Sequence, residues 1–276
     1  MLHSPSVAND MRINKRVGAP LLEPLSPRSI VLSLLLGSHP PRMPVGRILE
    51  FTSLFGIADG AVRTALSRMV ASGDLVNVDG TYQLVGRLIE RQAQQDAGRH
   101  HPPNSWDGTW WTIVVLAERR TMAQRRTFRA WARGARLGEL RPDVWLRPAN
   151  VGFSSEPADA LVTRGHIVTG DEQQLVGQLW DLDALQLRSA GNGRALDDAA
   201  ERLGDLDDRA LADAFVALAA AQQFLRIEPQ LPAALAPHAT GDAVRMRYSD
   251  VLDLFEARLA RFFAERGAAR FSTDAR

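Results

Sequence analysis

Arg63, Thr64, Ser67 and Arg68 fall on one arc of a helix if the chain is helical there. Their chemistry suits nucleic acid. An arginine fork pairs with guanine in the major groove or clamps a phosphate, and a hydroxyl reaches either. Val62, Ala65, Leu66 and Met69 fall on the opposite arc, which would be buried. Arg42 and Arg47 upstream are suited to phosphate contacts, and Thr81 and Tyr82 downstream to backbone contacts. A second basic stripe comprises Arg125, Arg129, Arg133 and Arg136, with Phe128, Trp131 and Ala135 on another face. Such a stripe serves DNA phosphates or an anionic ligand, or is a solvated face.

Residues suited to catalysis are sparse. The six histidines (His3, His39, His100, His101, His166 and His238) include no His-Glu-x-x-His pair, and no Gly-x-Ser-x-Gly elbow occurs. Lys15 is the single lysine, which removes the Gly-x-x-x-x-Gly-Lys phosphate loop. With no cysteine there is no disulfide, Cys-ligated zinc or thiol nucleophile. Gly191-Asn192-Gly193 reads as a turn, and Asp197-Asp198 and Asp207-Asp208 as a helix start and a solvated face. No enzyme activity, catalytic residue, metal or cofactor is expected.

The chain has 276 residues, 45% of them apolar and 24% charged, as in a soluble protein of two or three domains. Its net charge of +1 hides an asymmetry. Residues 1–150 carry 20 basic and 12 acidic side chains, and residues 151–276 carry 13 and 20. The basic half points to an anionic partner. No apolar run of about 18 residues occurs, so no membrane-spanning helix is expected.

The elements that would position the arginines follow from local signals. Residues 1–26 read as a disordered arm. Ser26-Pro27 opens a helix to Leu36, His39-Pro40-Pro41 is a loop, and a second helix covers Val45 to Phe55. Asp59 caps a third helix through Ser72. Leu75–Val78 and Thr81–Leu84 flank Asp79-Gly80, a hairpin signal. Residues 86–96 are helical, and Gly98 to Pro103 a linker. Helix, helix, turn, helix and hairpin spell a winged helix-turn-helix over residues 27–98.

Next come a strand at Trp111–Leu116, a helix at Ala123–Leu137, a strand at Val144–Leu146, a short helix at Ala158–Thr163 and a strand at His166–Val168. This order suggests a ferredoxin-like α+β domain over 104–172. Residues 173–266 read as a helical domain. Its helices are 173–187, Asp207–Leu225 and Tyr248–Phe263, with a break at Ser189–Gly193 and an extended turn at Pro229–Pro232. The expected fold is thus α+β and multidomain.

Phe55-Gly56-Ile57 with Val62 to Val70 resembles the turn and recognition helix of the phenylacetic-acid-degradation repressor (PaaX-like) family. Trp106-Asp107-Gly108 with Trp110-Trp111, Val144 to Pro148, Trp180-Asp181-Leu182 with Leu185, and Phe224-Leu225-Arg226 through Pro229, Leu231 and Pro232 resemble its later segments. The likeness spans roughly residues 28–265. It implies a cytoplasmic bacterial transcription regulator, usually a repressor, that binds double-stranded operator DNA as a homodimer. Its middle domain would be similar to a CRISPR-associated adaptation nuclease, and an aryl- or acyl-CoA thioester from aromatic catabolism would release the DNA. Arg129, Arg133, Trp180 and Arg226 are the effector-binding candidates under that resemblance. Glu228 stands where the family pattern has Asp, Leu187-Arg188 replaces an aromatic, and Gln222-Gln223 lacks the polar-aromatic run.

Two other readings stay open. One is a metal-dependent nuclease built on the middle domain, which would need carboxylates around a hard cation. Glu118 follows the first strand, but Ile113 to Ala117 holds no acid. The other is a DNA-binding or scaffold protein without an effector.

Overall fold

The structure is a computed structural model that describes residues 26–99, 106–117, 119–152, 157, 159–168, 170–205, 207–237 and 241–273. The expected disordered arm lies outside the described residues except for Ser26, as does the linker beyond Arg99. Among the described residues the chain is a mixed α/β protein with nine helices and two small antiparallel sheets.

Helix α1, Pro27–Gly37, starts as the Ser-Pro pair dictates: Ser26 Oγ accepts from Ser29 N at 3.1 Å and proline occupies the first turn. Its Ile30, Val31, Leu32, Leu34, Leu35 and Leu36 are all buried, so it is enclosed rather than amphipathic. Strand β1, Arg42–Pro44, leads into α2, Val45–Ser53, and α3, Asp59–Ala71. Strands β2, Leu75–Val78, and β3, Thr81–Leu84, form the expected hairpin. Its turn residues Asp79 and Gly80 have φ of 48° and 77°, which lets two residues close it in step with the strand twist. Helix α4, Arg87–Arg99, follows. The sheet order is β1-β3-β2. Arg42 therefore lies on an edge strand opposite Gln83. Three residues ending in proline carry no readable period, and only an edge position tolerates that proline.

The second sheet has β4, Thr109–Val115, β5, Gly138–Arg141, β6, Val144–Pro148, and β7, Ala160–His166, in the order β5-β6-β4-β7. Helix α5, Met122–Gly134, connects β4 to β5. One sheet face packs on α5 through Ile113, Ala132, Leu137 and Trp145. The other packs Trp110 and Leu146 against Val176, Leu179 and Leu231. Of the helix expected at Ala158–Thr163, residues 160–163 are instead part of β7, and Ala158 lies outside the described residues. Pairing along the whole of β4 and β-branched Val162 and Thr163 decide that segment, not its local pattern. The strand expected at His166–Val168 is accordingly the end of β7 alone.

Helix α6, Glu172–Leu179, and α7, Leu182–Leu203, replace the single helix expected over 173–187. Trp180 is extended between them (φ −138°, ψ 144°), and Asp181 caps α7 by accepting from Ala184 N at 2.9 Å. The break expected at Ser189–Gly193 is absent: α7 runs through it, with Asn192 and Gly193 buried and Gly193 facing Arg247. Small residues there let α7 approach α9, Asp242–Thr273, closely. Helix α8, Asp208–Ile227, packs against both. By length and composition α8 is apolar enough to cross a membrane, contrary to the sequence expectation, but 67% of that stretch is buried within the protein, as befits a core helix.

One core joins the two ends of the chain. Residues from Ile30 to Leu88 share it with residues from Leu196 to Phe262. Phe51 of α2 meets Phe215 of α8 edge-on, with ring centroids 4.9 Å apart, and Phe255 of α9 at 6.4 Å.

Candidate nucleic-acid interface

Helix α3 separates its two arcs as the spacing requires. Val62, Leu66 and Met69 are buried against α1 and α2, and Ala65 is half-buried. Arg63, Thr64, Ser67 and Arg68 are all exposed. Asp59 is not the cap: Ala58 holds that position without a side-chain bond, and Asp59 lies inside the first turn. An acid there still suits the positive end of the helix. Thr64 Oγ1 donates to Gly60 O at 2.8 Å, so its hydroxyl keeps only acceptor capacity outward. The turn before α3 passes Gly56 at φ +67°, a conformation that favours glycine.

The other DNA candidates differ in availability. Arg42 is exposed on β1. Arg47 is exposed in the first turn of α2, with its guanidinium 5.2 Å from the Phe263 ring of α9. Thr81 and Tyr82 lie on the central strand of the small sheet and are half-buried, with Tyr82 packed against the core. Asp79, at the hairpin tip, is exposed.

A residue that spacing did not single out anchors α3. Asp74 is 2% exposed and accepts from Arg28 at 2.8 Å, Arg87 at 3.0 Å and Ser72 Oγ at 3.0 Å. Arg28 first, then Arg87 and Ser72, hold its carboxyl below the ordinary 3.8 against the opposing effect of burial. One carboxylate thus ties the end of α3 to the starts of α1 and α4. A lone acid after Gly73 carries no local sign of this.

The effector candidates do not share one surface feature. Arg129 and Arg133 are exposed on α5, and Arg129 lies 3.6 Å from Glu139. Arg136, the fourth arginine of that stripe, falls past the end of α5 and turns inward. Trp180 lines a cavity of about 460 Å³ with Leu179, Asp181 and Asp183, whose acids oppose an anionic ligand. Arg226 is exposed in the last turn of α8. Burial, then the charges of Arg226 and Arg28, pull the Arg91 guanidinium below its ordinary value, so Arg226 faces a second cation. Among the described residues no group of three or more His, Asp or Glu side chains is placed to hold a metal, and Glu118 lies outside them.

Residues 26–88 match the family model described as "PaaX-like protein". Among solved structures, the uncharacterized protein Rv0674 from Mycobacterium tuberculosis is similar, with 33% identity and a TM-score of 0.66 over 86% of this chain and 99% of its own. No curated protein matches.

Proposed function

We propose that the chain is a PaaX-like transcription regulator that reads duplex DNA with α3, a reading supported by the match of residues 26–88 to that family. The observation that carries the reading is the division of α3: two exposed arginines and two exposed hydroxyls on one arc, three buried apolar side chains on the other. The order of α1, α2, α3 and the β2–β3 hairpin supports a winged helix-turn-helix over residues 27–98, with Arg63, Thr64, Ser67 and Arg68 in the major groove. Arg42 and Arg47 serve phosphates, and Thr81 and Tyr82 the backbone beside the hairpin.

The rest of the reading assigns residues 104–172 to a ferredoxin-like middle domain and 173–266 to a helical domain for dimerisation and effector response. The strand order β5-β6-β4-β7 with α5 as a crossover supports the former. The protein acts in the cytoplasm as a homodimer that represses by occupying its operator. A small effector such as an aryl- or acyl-CoA thioester relieves repression by changing the spacing of the two α3 helices.

The test begins with a genome-wide footprint of bound DNA, followed by affinity measurements on the recovered site. Arg63→Ala is expected to weaken binding about tenfold to a hundredfold at physiological salt, the range for losing one bidentate base contact, with unchanged circular dichroism. Equal affinity for wild type and variant would overturn the assignment.

A further inference from the structure

The end of α8 enters a buried cluster of charge that the α3 surface does not use. Glu228, fully buried, follows the last turn of α8. Its Oε1 accepts from Arg245 Nη2 of α9, and its Oε2 accepts from the Gln230 N–H at 2.9 Å. Arg136 Nη1 lies 3.6 Å from the same carboxylate and donates to the Glu228 carbonyl. Arg245 directs its Nη1 to Asp242 at 2.9 Å. Arg147 of β6 is 1% exposed; its Nη1 donates to Ala135 O at 2.7 Å and its Nε to Pro148 O at 3.2 Å. Its Nη2 is buried and has no hydrogen-bond partner among the described residues.

Among the described residues the charges do not balance. Arg136 pairs with Glu228, Arg245 pairs with Glu228 and Asp242, and Arg147, close enough to feel the charge of Arg136, forms an ion pair with neither carboxylate. Burial, then the charge of Arg136, drags Arg147 down to about 9, and burial drags Arg136 to about 10. A cation at the carbonyl end of α5 accounts for Nη1 of Arg147, but not for Nη2 or the surplus charge. The backbone is also under constraint. Arg136 and Gln230 have φ of 60° and 54°, which residues with a Cβ hold only when their surroundings impose it. A Cβ on Gly241 would lie 2.9 Å from Glu228 Cδ, so the backbone closes tightly on the cluster.

We propose that Arg147 and Arg136 form the subsite for an oxyanion, the carboxylate or phosphate group of a small ligand, which satisfies Nη2 of Arg147 and competes with Glu228 for Arg136. An arginine fork fits either oxyanion. As an effector subsite this rests on the regulator reading above. The cluster holds the end of α8, and α8 carries Phe215 onto Phe51 of α2 and Phe55 in the turn after it, so an anion here acts on the helix that seats the N-terminal unit.

The test is a titration of the full chain without DNA. Sodium acetate and inorganic phosphate are each compared with sodium chloride at equal ionic strength, following the thermal midpoint. Acetate distinguishes a carboxylate subsite from a phosphate one. A saturable rise of about 2–4 °C over chloride is expected with at least one anion held at several times its Kd. Arg147→Gln should abolish the saturable part, and Arg147→Lys should weaken binding about tenfold, because a point charge lacks the fork. Glu228→Gln should tighten binding by removing the competitor. No saturable difference from chloride in the wild type, or an undiminished response in Arg147→Gln, overturns the proposal. If Arg147→Gln does not fold, unchanged half-saturation in both Arg147→Lys and Glu228→Gln overturns it. A failure here leaves DNA reading by α3 standing, and a failure of DNA binding leaves this titration unaffected.

Discussion

Asp74 gives the residue scale its clearest energetic consequence. Its folded carboxyl is held below 3.8 by Arg28 first, so the unfolded chain takes up this proton more readily than the folded one. The stabilisation is complete above that value and is lost as pH falls through the lower folded value. Asp74→Asn should therefore reduce the loss of stability as pH falls below about 4, read as urea midpoints at several acidities. Identical acid limbs in the two proteins would exclude the network. The arginine partners are 51% and 76% exposed, so solvent screens the pairs and the effect at neutral pH is small. On α3, the salt response separates an arginine that reads a base from one that clamps a phosphate. Any arginine that contacts only a phosphate should, when replaced by alanine, lower the slope of log affinity against log salt by about one, while a base contact relaxes sequence preference.

At the scale of elements, the position of β5 against α6 is the most sharply constrained. A Cβ on Gly138 would lie 2.7 Å from Leu179 Cβ and 3.1 Å from the Leu179 carbonyl, and backbone cannot yield as a flexible side chain does. Gly138→Ala should cost about 1–3 kcal/mol, the usual range for overpacking, seen as a lower urea midpoint at unchanged slope. The hairpin offers a contrasting case. Gly80 meets nothing within 4 Å where a Cβ would stand, yet its φ of +77° disfavours any side chain. Gly80→Val should weaken the β2–β3 hairpin through backbone strain alone, measured as faster amide exchange in those strands than in α1.

At the scale of the whole molecule, one core joins the N-terminal elements to the C-terminal helices, while the second sheet packs through two clusters of its own. Phe215 touches both Phe51 and Phe55, so it fastens α8 to the element preceding α3. Phe215→Ala should destabilise the protein by about 3–5 kcal/mol, and amide exchange should quicken in α1 and α2 as well as in α8. Quickening confined to α8 would show that the N-terminal unit stands without that contact. Much of this architecture was legible beforehand where the determinants are local. Ser26-Pro27 marks the start of α1, Asp79-Gly80 sets the hairpin, and the spacing of Val62, Leu66 and Met69 divides α3 into a buried and an open face. Each follows from a period or a turn preference within a few residues. What needed the tertiary structure involves partners far apart along the chain. Segment 160–166 is a strand because β4 pairs with it, Gly191 to Gly193 stays helical because α9 packs against that stretch of α7, and Asp74 and Arg147 acquire their environments from other elements. Burial and pairing at such distances leave no period in the sequence, so only the folded chain could decide them.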